Sequence, residues 1–215
     1  MTRITHWLLL AMLSTLFGLA GCSLIDFKSA TPPVTHWRLQ ADPPPPSAER
    51  PLPFNLVVNP VLVAPGLEGD ALMILDPPSR YDFIRNAAWP TDLPDYLRRQ
   101  LILDLAGTGH YASVLRSARS DLPNRMLLMR VADFQLERRA DGLRTHLRIE
   151  VGMWDLKGKG MRLHRWYEVS EPVPEMRMVA ISPAWNRAWG RFLGRLVADI
   201  DQALQNGTLS PQAGQ

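Results

Sequence analysis

Apolar and polar residues alternate most cleanly over residues 143–151. Leu143, Leu147, Ile149 and Val151 fall on one face of an extended backbone, and Arg144, His146, Arg148 and Glu150 fall on the other. Upstream, residues 126–137 begin as a continuous apolar run and turn alternating toward Glu137. Between the two, Asp141-Gly142 is a two-residue hairpin signal. A tight turn there pairs Leu136 with Leu147 and Phe134 with Ile149, and sets Glu137 opposite His146. Lys157-Gly158-Lys159-Gly160 leads into a third strand over 161–170. The three strands predict an antiparallel meander with one solvated face.

The period changes on either side of this block. Residues 34–39, 55–63, 71–75, 81–84 and 111–115 have strand patterns, with Pro60 interrupting the second and Asp76-Pro77-Pro78-Ser79 making a turn. Thr91-Asp92-Leu93-Pro94-Asp95 reads as a helix start, with a capping side chain, an early proline and acids in the first turn. Leu93, Leu97, Leu101 and Leu105, joined by Tyr96, form its apolar stripe, and Gly107-Thr108-Gly109 ends it. A closing helix is predicted over 183–205. It carries Trp185, Trp189, Phe192, Leu193, Leu196, Val197, Ile200 and Leu204 on one arc, and Arg187, Arg191 and Arg195 as a separate stripe. Residues 206–215 read as a flexible tail. The fold class is α/β in the broad sense, α+β-like. A single domain over 34–205 would have a mixed or mostly antiparallel sheet of about five to seven strands and two main amphipathic helices.

The N-terminus follows another logic. One cation, Arg3, precedes an apolar run from Trp7 to Ala20, and no acid occurs before Asp26. That run is about 14 residues, against the ~20 needed to span a bilayer. Leu19-Ala20-Gly21-Cys22 resembles the lipobox of bacterial lipoproteins, in which the Cys is lipidated and becomes the first mature residue. Residues 1–21 are then a signal peptide, Cys22 the lipid-modified residue and 22–33 a lipidated tether. Acyl chains on Cys22 would anchor the chain to a membrane without spanning it. Ser23, where Asp would signal inner-membrane retention, points to the periplasmic side of the outer membrane. A tether of about 11 residues reaches at most ~35–40 Å, so a partner must come to it. Residues 41–53 are a proline-rich connector, stiff and exposed.

Composition changes little here. The net charge of +3 over 215 residues is mild, and a chain exported in this way has no nucleic acid to meet. Cys22 is the sole cysteine, so once acylated it leaves neither a disulfide nor a nucleophilic thiol. His36, His110, His146 and His164 have no metal-ligand spacing, and no nucleotide-binding or serine-hydrolase motif occurs. His146 and His164, on neighbouring strands, would be the best hydrolase candidates if they faced one another. The reading is a non-enzyme without cofactor or metal. Trp185 and Trp189 read first as a core face. The alternative makes them, with Arg187, Arg191 and Arg195, a partner-binding surface, since aromatic and Arg residues anchor interfaces.

The layout also resembles a known family. The lipobox and short tether are followed by His36-Trp37-Arg38-Leu39, Val57-Val58-Asn59-Pro60-Val61, Tyr81…Trp89-Pro90-Thr91-Asp92-Leu93-Pro94, Met153-Trp154-Asp155-Leu156 and a closing helix. This is similar to the ABC-type transport auxiliary lipoprotein family, over most of residues 16–205. Two stretches, 63–70 and 85–90, depart from the family pattern. The resemblance implies an accessory component that acts by binding, with an MCE-domain protein and an inner-membrane permease as partners, in lipid transport across the envelope. A component of another envelope machine, in secretion, outer-membrane assembly or peptidoglycan-synthase regulation, stays open as the alternative, as does a homo-oligomer.

Overall fold

Asn124–Arg139 (β7), 16 residues long, is the spine of the molecule. The structure is a computed structural model that describes residues 33–40, 51–76, 79–155 and 160–208. The compact unit they build is Val34–Gln215. The signal peptide, Cys22, Ser23, most of the tether, residues 41–50 of the connector and the tail from 209 lie outside the described residues.

One edge of β7 pairs antiparallel with Gly142–Asp155 (β8) along its whole length, and β8 pairs antiparallel with Gly160–Val173 (β9). The other edge of β7 takes three short parallel strands in succession: Leu52–Val58 (β2), Leu62–Val63 (β3) and Ala71–Asp76 (β4). Pro60, with no N–H for a ladder, separates β2 from β3 within the expected strand 55–63. Beyond β2 lies Tyr111–Leu115 (β6), parallel. Beyond β4 lie Arg80–Ala88 (β5), antiparallel, and Thr35–His36 (β1), parallel to β5. With Leu93–Gly107 (α1) and Met178–Thr208 (α2), the described residues form a mixed nine-stranded α+β domain. The expected class holds, with more strands than the five to seven expected.

The meander forms with a shifted turn. Arg139 pairs with Gly142, so the two loop residues are Ala140 and Asp141, and Gly142 takes φ +122°, a region that favours glycine. Phe134 therefore pairs with Leu147 and Leu136 with Thr145, while Gln135, not Glu137, lies opposite His146. The shift is two residues, so every side chain keeps its expected face. A bulge between Val131 and Asp133 inserts Ala132. Without it Phe134 and Leu136 would leave the face occupied by Leu127, Met129 and Val131. With it all five are buried.

Both helices cover one face of this sheet and share a single apolar core with it. α1 starts as expected with Pro94 in its first turn, but Asp92 makes no side-chain cap. Leu93 N–H donates instead to Gly69 O at 3.1 Å. α2 begins at Met178, ahead of Pro183. The N–H that proline lacks would have served Val179, which is exposed, so water can satisfy that carbonyl. At the centre of the core, Phe134 stacks on Trp185 at 4.5 Å and meets Trp89 edge-on at 5.6 Å.

Candidate functional site

The residues expected on a partner surface fall into two groups. Trp185 and Trp189 are 3% and 0% exposed. Trp189 packs against Phe192 and Phe134, and its Nε1 donates to Asp104 Oδ2 of α1 at 2.7 Å. Burial raises the Asp104 carboxyl above its ordinary value, while the donors Trp189 and Gln100 hold it down. The two tryptophans lock α2 to α1 and to the sheet. Both rings are enclosed, which corrects the reading of them as surface anchors.

Arg187, Arg191 and Arg195 lie along β9, whose outer edge pairs with no strand among the described residues. Glu171 points from β9 under α2 and is 3% exposed. Arg187 Nε lies 3.3 Å from its Oε2 and Arg191 Nη1 lies 2.8 Å from its Oε1. Arg187 also donates to Pro172 O at 3.4 Å, and Arg195 donates to Glu168 O at 3.1 Å. These carbonyls belong to the free edge, where Pro172 contributes no N–H. A long bare edge invites another strand. Here the arginine stripe and a proline blunt it. The stripe is half-exposed but committed within the chain, so a partner would have to share or displace these contacts.

The opposite face of β7–β9 is covered by neither of the two described helices. Its side chains form a charged lattice. Arg148 Nε meets Asp133 Oδ2 at 2.6 Å, Arg130 meets Glu150 at 3.1 Å, and His164 Nε2 meets Glu150 Oε1 at 2.6 Å. His146 sits among Asp133, Glu137 and Glu168 at 3.8–4.0 Å. Arg148 and Arg139 already pair with two of those acids. His146 pairs with Ser170 and His164 with Gly152, six residues apart along β8. That separation is about 20 Å, so the two histidines do not face one another. Among the described residues no cluster has the makings of a metal site.

Apolar surface also appears on this side, and the sequence reading missed it. A groove of ≈ 200 Å³ is lined by Leu62, Leu128, Gly152, Trp154 and Met161, together with the charged Arg130, Glu150 and His164. Gly152 is required there, because a Cβ would lie 2.2 Å from the Trp154 ring. Leu62 and Met161 are about half exposed, as are Trp166 on β9 and Tyr81 and Phe83 on β5. The signal lay in these outward apolar residues among polar neighbours, but it was visible only once the strand faces were assigned.

A model of the ABC-type transport auxiliary lipoprotein component matches residues 37–200. The chain belongs to that family. The matched region runs from Trp37 beside β1 to Ile200 in α2, and so takes in every layer described above. The family is one of auxiliary components, which agrees with a site built from ion pairs and apolar patches. No curated protein matches the chain. Among solved structures it is similar to protein XCC0632 from Xanthomonas campestris, assigned to the DUF330 family. That match has a TM-score of 0.70 and 16% identity, and covers 82% of this chain and all of that one. A second structure, of an uncharacterized protein, has a TM-score of 0.60 and 15% identity, with 77% and 99% covered. At these identities the likeness establishes the shared fold. No described helix of this auxiliary lipoprotein family member is long and apolar enough to cross a membrane.

Proposed function

We propose that the protein is an outer-membrane-anchored accessory lipoprotein of an ABC/MCE-type system that moves lipids across the envelope, acting by binding its partner and not by catalysis. The family match over residues 37–200 carries this reading. It is supported by Leu19-Ala20-Gly21-Cys22, by Ser23 and by the short tether over 22–33. In the proposed arrangement residues 1–21 are removed, Cys22 bears the lipid, Ser23 directs export to the outer membrane, and 34–205 is the periplasmic domain. The partners are an MCE-domain protein and an inner-membrane permease. Trp185 and Trp189 drop out as contacts because they are enclosed. The helix-free sheet face and the β4–β5 hairpin with Tyr81 and Phe83 offer the exposed apolar surface on which docking can concentrate.

The test is co-purification of the tagged full chain with the MCE-domain protein encoded nearest to it. Capture of that protein is the expected result. Absence of capture with both proteins folded would sink the partner assignment. In parallel, Cys22→Ala should abolish acylation and release the domain from the outer-membrane fraction, and unchanged fractionation would end the anchoring proposal.

A further inference from the structure

Arg125 is out of place in its row. Leu127, Met129 and Val131 point from β7 into the core, and Arg125 continues that row toward the start of the strand. Its guanidinium carbon lies 4.5 Å from the centre of the Phe54 ring. Its Nε is buried and has no hydrogen-bond partner among the described residues. Burial pushes its pKa below the ordinary value. Asp155, opposite it on β8, pulls the other way, and the positive charge of Arg162 adds to the depression. Neither Arg125 nor Arg162 forms an ion pair among the described residues.

The two arginines line one pocket of ≈ 360 Å³ beneath the last turns of α2. Its walls are Phe54, Pro123, Ala203 and Leu204, with the start of β2 completing them, and no carboxylate of the described residues lines it. A cation drawn out of water is costly until an anion completes it. A guanidinium pair matches the oxygens of a phosphoester, and the carbon walls match something less polar attached to it. α2 runs on to Thr208, a full turn past Leu204, so its weakly negative end stands back from the two charges.

We propose that this pocket binds the phosphate of an anionic phospholipid, with Arg125 and Arg162 on the phosphoester oxygens and Phe54, Pro123 and Leu204 against the glycerol and first methylenes. The proposal rests on the lipid-transport reading for the class of ligand. It assigns this chain a lipid contact of its own besides its docking to partners. Arg162 is exposed, whereas Arg125 also covers Phe54. Arg162→Gln is therefore the clean variant and Arg125→Gln the deeper one.

The experiment uses the full chain in a nonionic detergent. Dihexanoyl phosphatidylglycerol and inorganic phosphate are titrated separately, with binding followed by phosphorus NMR line broadening and by the shift in melting temperature. The lipid should bind the wild type, and Arg162→Gln should weaken it about tenfold with an unchanged melting temperature in the absence of ligand. Arg125→Gln should weaken it at least as much. No lipid binding up to about 1 mM, or equal binding by both variants, overturns the site. Inorganic phosphate binding as tightly as the lipid overturns the lipid assignment in favour of the free anion. A negative result here leaves partner capture untouched, and failed capture leaves this titration untouched, so the two proposals fail separately.

Discussion

The two faces of the β7–β8–β9 meander are built from the same strands, one residue apart, yet different physics holds each. On the helix-covered face Leu127, Leu147, Ile149 and Val151 are fully buried. Each such side chain is worth about 1.5–3 kcal/mol when removed from water. On the other face Arg130 and Arg148, with side chains 61% and 50% exposed, are held by ion pairs, which contribute roughly 0–1 kcal/mol apiece. One face therefore fixes the fold. The other can change its chemistry at little cost in stability, so it is the face suited to recognition.

The largest expected break in this contrast is Trp189→Ala. It removes a fully buried ring from between Phe134 and Phe192 and leaves Asp104 without its indole donor. The expected loss is about 3–5 kcal/mol, a large share of the 5–15 kcal/mol typical of a domain, read as a lowered urea midpoint. A loss under 1 kcal/mol would mean the core does not depend on this ring.

Glu171 is the exception that sharpens the comparison, because it is a charge on the covered face. Glu171→Gln keeps the shape and the Thr145 contact to its backbone N–H, but leaves Arg187 and Arg191 without a counter-ion. The arginines are half-exposed, which limits the cost to about 1–3 kcal/mol. High salt should weaken the wild type and leave the variant nearly unchanged, and equal salt responses would show that the pair is inert.

Acid should act on the two environments with opposite sign. Burial raises the Asp104 carboxyl in the folded state, so its charged form weakens the fold. That penalty is complete above the raised value and fades as pH falls toward the ordinary 3.8. Asp76 on the surface is lowered by hydrogen bonds from Arg80 and Arg138. Its stabilisation is present above 3.8 and is lost as pH falls through the lowered value. Unfolding curves across the acid range should therefore diverge. The gap between Asp104→Asn and wild type should close on acidification down to 3.8, and the gap for Asp76→Asn should close only below it. Parallel profiles would remove the distinction.

The covered face was readable in the sequence because burial writes itself as periodicity. The alternation over 143–151 and the tryptophan arc of α2 both record which way a side chain points. Features that depend on register were not readable. The bulge at Ala132 follows another apolar residue, Val131, so the inserted residue is not marked by a polar position of its own. The hairpin turn sat one residue earlier than expected because Gly142 supplies its positive φ from the first strand position. The arginine stripe was visible, but its partners Glu171, Glu168 and Pro172 come from a strand edge that only tertiary docking brings under α2. The Arg125–Arg162 pocket joins residues from four separated elements, and no local pattern marks it.

The smallest expected effect lies at the centre of the open face. Arg148 bonds Asp133 and lies 5.4 Å from the centre of the Trp166 ring, which is itself 48% exposed. Both contacts face water. Arg148→Ala should therefore cost no more than about 1 kcal/mol, the sum of an exposed ion pair and an exposed cation–π contact. If the same variant, folded and barely destabilised, also lowers capture of the MCE-domain protein proposed as partner, the open face is where docking occurs. If stability falls by as much as it does for Trp189→Ala, the two faces are not energetically distinct and the division of labour between them fails.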